Sequence, residues 1–449
     1  MKKSVGCRVI VALGAAVGLS ITSPALPDAS ADSPESAGSY VTSNDPAVLG
    51  LASAYGLSVQ EATRRIALQA KFIALGDDLR RAFPSSFAGA RIDQSAGGRL
   101  VVSFTKPVDD ISTFLSSRAV SPQDVEFRAD APHALSYLES VRDAVAAQVS
   151  PGLRIEIDAP EGLVEVSRPN GGMSASDLIG VQRVQLALDA PIEATPTSSV
   201  DKPINPDLAC DHDGGFCDPP LRGGTYIEKQ WPDGSVQRVC MDAFNGYSRT
   251  DGKRFMVTAG HCLQGFDNLT TIWYSIHARV SGGARFRFGA QQRWRKDSGG
   301  DWGSIHVDDT MTREASAYVQ EEDGYRSTTY DEHYWLHGVG LASNNVQNAY
   351  VCKLGYAVGC GIIWQAGVTS DSGVQNSAEV YIDSGYIACE GDSGGAVVAG
   401  GLVYGILNSG ELDTLHTDPH DPNNGCFDAY YMSSATFALN DLNLYLNTV

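Results

Sequence analysis

The sequence predicts two unlike folds in one chain: an α+β unit in the first half and an all-β unit after it. Three observations predict this. Cys210, Cys217, Cys240, Cys262, Cys352, Cys360, Cys389 and Cys426 all lie beyond residue 200, and Cys7 alone lies before it. The first half alternates apolar runs of helical period with short paired strand-like runs. The second half sets short strand-like runs between glycine-rich turns, in a chain that carries 47 glycines among 449 residues. A chain of this length accommodates two or three domains.

In chain order, Lys2, Lys3 and Arg8 precede a short apolar run at 9–21, and Ala29-Ser30-Ala31 is a small-x-small cleavage site. That is the pattern of a secretory signal, so residues 1–31 are expected to be removed and the product to be extracellular. The apolar run is too short for a membrane span, and no later stretch reaches about 18 apolar residues, so no stable membrane anchor is expected. Cys7 leaves with the signal. The eight cysteines that remain form an even set in an exported chain, which implies disulfides. The absence of any Cys-x-x-Cys pair argues against zinc, and no metal or cofactor is expected. The formal net charge of -20 and pI of about 4.8 argue against nucleic acid as a partner.

Residues 32–47 read as a flexible lead-in. Ser58-Val59-Gln60-Glu61 is a capping box. Ala62, Ile66, Ile73, Leu75, Leu79 and Phe83 then recur at helical spacing until Pro84. Arg91-Ile92-Asp93 and Leu100-Val101-Val102-Ser103-Phe104 read as strands around Gly97-Gly98. A second unit echoes the first: Leu135, Leu138, Val141, Val145 and Val149 suit a helix, and Arg154-Ile155-Glu156-Ile157 with Leu163-Val164-Glu165-Val166 suit a hairpin at Glu161-Gly162. Residues 190–207, with Pro191, Pro196, Pro203 and Pro206, have linker composition. Beyond it, Phe255-Met256-Val257, Tyr350-Val351 and Leu402-Val403-Tyr404-Gly405-Ile406-Leu407 read as strands, and residues 436–446 as a closing helix.

Two local sequences carry chemistry: Thr258-Ala259-Gly260-His261-Cys262 and Cys389-Glu390-Gly391-Asp392-Ser393-Gly394-Gly395. A third, Gly300-Asp301-Trp302-Gly303-Ser304-Ile305, supplies an acid between them. A serine hydroxyl is a poor nucleophile until a base takes its proton, and an imidazole does so near neutral pH. An acid on the far ring nitrogen fixes the tautomer and stabilises the imidazolium. Taken singly, Gly-Asp-Ser-Gly-Gly is also a plausible turn and His261 a packed core residue. Asp297, Asp308 and Asp309 compete with Asp301 for the third role, but the apolar run that follows Asp301 favours it.

Together these segments resemble the His, Asp and Ser motifs of the chymotrypsin-like serine proteases, in that family's order. The resemblance covers roughly residues 220–445 and implies a double β-barrel, with His261, Asp301 and Ser393 as the triad. It also implies that the amides of Gly391 and Ser393 face the oxyanion, and that Asp392 folds inward onto an ionic partner. By the same resemblance Cys240 pairs with Cys262, Cys389 with Cys426 and Cys352 with Cys360, while Cys210 and Cys217 form a local staple. Where trypsin-like enzymes carry an acid six residues before the serine, this chain has Ile387, then Ala388, which leans towards an apolar residue before the scissile bond. The segment around Cys352 and Cys360 is similar to the bacterial alpha-lytic protease and streptogrisin group, although its loop spacing differs. In that group a pro-region assists folding and then inhibits. Residues 55–58, 87–93 and 100–102 look like that pro-region.

The expected organisation is a signal at 1–31, an α+β pro-region or docking domain at 32–200, a linker and processing region at 201–222, and a protease domain at 223–449. The linker or the Arg222-Gly223 bond is the processing site. The expected partners are a protein or peptide substrate and the chain's own pro-region. Two other readings compete. A lipase or esterase would place its acid and base after the serine, at Asp413 and at His416 or His420. A binding protein on a protease fold would show no turnover. Asp413, His416, Asp418, His420 and Asp421 read as a polar loop, and Asn268-Leu269-Thr270 is a sequon by pattern.

Overall fold

Asp45 and Pro46 start the first helix. The Asp45 carboxylate accepts from the Ala47 amide at 2.8 Å, and Pro46 occupies the first turn, where its missing N–H costs nothing. Helix α1 (Pro46–Tyr55) ends at Gly56 in the left-handed conformation. The expected flexible lead-in therefore stops earlier than composition implied. Helix α2 (Val59–Ala82) begins at the expected cap, with Ser58 Oγ accepting from the Glu61 amide at 3.2 Å, and places Arg80 and Arg81 in its last turn.

The computed structural model describes residues 40–448 apart from 110, 150–152, 160, 169–172, 189, 191, 197–199, 203–220, 225, 231–235, 265–271, 277–284, 298, 308–312, 319–332, 341–345, 355–357, 369–373, 375–376, 382–387, 390, 413–415 and 418–424. The expected signal, the Cys210–Cys217 staple, Ile387, the sequon, Asp308, Asp309, Asp413, Asp418, His420 and Asp421 lie outside the described residues.

The described residues pack as one unit. In its first half, strands Phe87–Asp93 and Arg99–Phe104 form the expected hairpin, extended by Val125–Arg128. Helix α3 (Ile111–Ser117) connects them, and helix α4 (Leu135–Ala146) precedes a second sheet of Arg154–Asp158, Leu163–Arg168 and Ile192–Pro196. Helix α5 (Ala175–Leu188) completes this α+β part. The stretch of linker composition is not wholly a linker. Ile192–Pro196 pairs in parallel with Leu163–Arg168, and Val200–Lys202 pairs antiparallel with Gly410, Glu411 and Leu412. Pro196 is tolerated because Ile192–Pro196 is the edge strand of its sheet.

The second half is all-β until its last residues. An eight-stranded antiparallel sheet contains Phe244–Ser248, Arg254–Thr258, Arg285–Asp297 and Gly300–Val307. A second sheet closes on itself. Strands Leu402–Leu412, Ala396–Ala399, Tyr350–Lys353, Gly359–Val368, Ser377–Tyr381 and Ala429–Ser434 pair in that order, and the last pairs back with the first. Closure removes the edges at which sheets aggregate. The expected closing helix is shorter than its pattern: helix α6 (Ala435–Leu442) stops at left-handed Asn443, and Leu444–Leu446 joins the first sheet. Among the described residues, no helix is long and apolar enough to cross a membrane.

Two cores result. One joins the first sheet to α6 through Met256, Trp302, Ile305 and Leu439. The other is shared between the N-terminal part and the closed barrel, with Leu51, Ile66 and Phe72 in the same cluster as Tyr350, Val351 and Val397.

At the start of α2, the hydrogen bond from Arg64 foremost, aided by Arg65 and by the charges of both, holds the Glu61 carboxyl down at about 2 against the opposing effect of desolvation. A depressed folded pKa stabilises the fold above the unfolded value and loses that stabilisation as pH falls towards the folded one. Glu61→Gln is therefore expected to lower the unfolding midpoint at pH 7. The difference from wild type should shrink as pH falls from about 4.5 to about 2, as followed by circular dichroism.

Candidate active site

His261 follows strand Arg254–Thr258 and opens a single helical turn, His261–Leu263. Asp301 lies in strand Gly300–Val307, which pairs with Arg254–Thr258 in a register that sets Thr258 opposite Gly303. The pairing brings Asp301 beneath His261. Its two oxygens divide their work. Oδ1 accepts from the His261 amide at 2.7 Å, and Oδ2 lies 2.7 Å from Nδ1. Because a carboxylate oxygen accepts, Nδ1 carries the proton and Nε2 presents its lone pair. Asp301 is 2 % exposed and His261 11 %, so the pair is shielded from bulk water while the ring keeps an opening. The Asp301 amide donates to Ser433 Oγ at 3.3 Å, and Asn408 Nδ2 donates to the same oxygen at 3.0 Å. Asp297, the nearest rival acid, pairs instead with Arg295 on the exposed edge.

Ser393 sits in a tight loop anchored on every side. The Asp392 amide donates to Cys389 O at 3.1 Å and the Gly395 amide to Asp392 O at 3.0 Å. Gly394 N donates to Leu407 O at 2.8 Å, Leu407 N to Gly395 O at 2.9 Å and Met241 N to Ser393 O at 2.7 Å. Gly394 has a φ of +89°, and a β-carbon there would strike Met241 O and Thr258 Oγ1. No other residue type fits. Disulfides Cys240–Cys262 and Cys389–Cys426 brace the two motifs, and Cys352–Cys360 links neighbouring strands of the closed barrel.

Ser393 Oγ is buried and has no hydrogen-bond partner among the described residues. The neighbour of His261 Nε2 is Cys262 Sγ at 3.7 Å, so the serine–histidine bond is not closed here. Such bonds often tighten only when substrate is bound. The Gly391 and Ser393 amides take no main-chain acceptor among the described residues, which leaves both available to a ligand. Among the described residues, the grouping of metal-ligand types here is Cys240, His261 and Cys262. Both its sulfurs are in a disulfide and its imidazole is committed to Asp301. Ala388, expected at the specificity pocket, is buried opposite Phe427.

The inward partner of Asp392 is Lys353. Its ammonium pairs with Asp392 Oδ2, and the same oxygen accepts from the Cys389 amide at 2.7 Å. Lys353 is 1 % exposed and Asp392 2 %. Sequence reasoning foresaw the need for a partner but not its identity. The available signal was one lysine in the apolar run Tyr350-Val351-Cys352-Lys353-Leu354. Nothing local marked Ser433 or Asn408.

Residues 250–420 match the family model described as Trypsin. The chain carries a chymotrypsin-like serine protease domain. It is a serine endopeptidase. Similar solved structures include the Nocardiopsis protease, at 18% identity over 51% of this chain and 99% of that one, with a TM-score of 0.32. Cellulomonas bogoriensis chymotrypsin is similar at 18% identity over 51% and 99% of the two chains, with a TM-score of 0.31. An alpha-lytic protease homolog, N4, is similar at 19% identity over 50% and 97%, with a TM-score of 0.32. No curated protein matches the chain.

Removing one partner of a buried ion pair strands the other charge in low dielectric. Lys353→Met is therefore expected to destabilise the protease by about 3–5 kcal/mol in denaturant unfolding, with part of the loss recovered in Lys353→Met/Asp392→Asn. Equal unfolding midpoints for the single variant and wild type would contradict this placement of the pair.

Proposed function

We propose that this chain is the precursor of a secreted serine endopeptidase whose catalytic triad is Ser393, His261 and Asp301. The observation that carries the reading is the buried His261–Asp301 pair, which commits Nδ1 to the carboxylate and leaves Nε2 as the nitrogen that can act as base. His261 Nε2 takes the Ser393 proton as Oγ bonds to the substrate carbonyl carbon, and the carbonyl oxygen becomes an oxyanion facing the Gly391 and Ser393 amides. Collapse breaks the C–N bond, and His261 gives its proton to the leaving amine. Water, deprotonated by His261, then hydrolyses the acyl ester and restores Ser393. Asp301 holds the tautomer throughout. The acid and base that pair here both precede the serine in sequence, which disfavours the lipase-like order.

Apolar surroundings at Ala388 and Phe427 support a preference for an apolar residue before the scissile bond. Residues 32–200 are read as a pro-region that holds the protease inactive, with processing in the 201–222 region. Support comes from the strand Val200–Lys202. It lies antiparallel on Gly410–Leu412, in the strand whose Leu407 is bonded to both Gly394 and Gly395. An extended backbone paired there fills a strand edge to which a peptide substrate could otherwise add.

The test is a fluorophosphonate probe applied to the secreted product, beside Ser393→Ala. Label is expected on a C-terminal fragment and not on the serine variant. Label confined to the full-length chain would remove the pro-region from the reading, and no label on folded protein would remove the triad. Asp301→Asn is expected to keep the fold and lower kcat by about 10⁴, measured on a peptide substrate.

A further inference from the structure

The shared core raises the question of what recognises what across it. Two polar side chains of the N-terminal part are buried in the closed barrel. Gln69 of α2 is 1 % exposed. Its Oε1 accepts from the Tyr350 amide at 2.6 Å and its Nε2 donates to Tyr350 O at 3.1 Å. The carboxamide thus makes the two bonds a neighbouring strand would make. Among the described residues, the barrel offers no strand at that point. Pairing between Tyr350–Lys353 and Ala396–Ala399 joins Lys353 to Val397 and Cys352 to Val398, and goes no further.

The chain of the barrel turns away there, at Gly400–Gly401, and Asp45 fills the turn. Asp45 Oδ2 accepts from the Gly400 amide at 2.9 Å and from Tyr334 OH at 3.0 Å, while the Gly401 amide donates to the Tyr334 oxygen at 2.8 Å. Asp45 is 4 % exposed, and burial, offset by these hydrogen bonds, raises its carboxyl above the ordinary range. Gly400 has a φ of +59° and lies against Val41 and Ile66, so the turn is shaped to the N-terminal part as well as bonded to it.

We propose that Asp45 and Gln69 are the recognition groups by which the N-terminal part grips the protease, each making hydrogen bonds that the closed barrel leaves open. An unmade buried backbone bond is costly, so these two points favour the docked arrangement specifically, where apolar packing alone would tolerate slippage. The gripped strand ends at Lys353, the residue that holds Asp392 beside Ser393. Docking therefore orders the segment that positions the nucleophile loop. The inference rests on residues 32–200 acting as a pro-region, but its test does not need turnover.

Hydrogen exchange is read by mass spectrometry in the full-length Ser393→Ala chain. Adding Gln69→Leu is expected to speed exchange at the Tyr350 amide by about tenfold or more while leaving Gly400 protected. Adding Asp45→Ala should do the reverse. If Gln69→Leu does not accumulate as folded protein, Gln69→Asn shortens the reach and is expected to release the same amide. Unchanged exchange at Tyr350, or a uniform rise across the whole barrel, overturns the proposal. Failure of the triad would appear instead as absent labelling with this local protection intact.

Discussion

The position of Ser393 depends on a charge pair that never meets solvent. Lys353 reaches in from a barrel strand and Asp392 reaches down from the loop, so the loop is held from beneath by an ion pair and from each side by main-chain bonds. Burying two charges is expensive, and a well-packed apolar substitute would serve stability at least as well. What the pair supplies is position. With Asp392 turned inward, the Gly391 and Ser393 amides are left without main-chain acceptors among the described residues, and the serine oxygen is buried. Preorganised donors of this kind contribute to acyl transfer because they need no rearrangement as charge develops.

His261 and Asp301 belong to the other sheet, and their geometry is independent of that pair. Strand register places the acid, and a helical turn places the base. The candidate site is therefore a junction: one sheet carries the His261–Asp301 pair, and the closed barrel carries the Ser393 loop. The N-terminal part touches the second of these through a common core. Barrels built from non-local strand pairs fold slowly, because loop closure must precede the contacts that reward it. The N-terminal part, by contrast, is rich in local helix and hairpin contacts and packs on that barrel.

Much of this was legible in the sequence, for identifiable reasons. The motifs around His261 and Ser393 were legible because their residue types answer to chemistry at fixed local spacing. The α2 cap at Ser58 and the hairpins after it were legible because capping and turn signals are local. Helix α1 was not, because its starting Asp45-Pro46 lies in a stretch whose Ser, Ala and Pro content reads as lead-in, and its burial depends on a barrel far along the chain. The strands within 190–207 were hidden by proline, which sheet edges tolerate. Lys353 was visible only as an odd lysine among apolar neighbours, since its partner is fixed by tertiary structure. Asn443 in the left-handed conformation, rather than a change in apolar period, ended the last helix early.

The most direct measurement is the release of new α-amino groups from an unfolded protein substrate, by the secreted product of the wild-type chain and by that of Ser393→Ala. Steady release by the first and none by the second is the predicted result. Equal release by both, or none from folded wild-type protein freed of its N-terminal part, would contradict the assignment of Ser393 as the nucleophile of this endopeptidase.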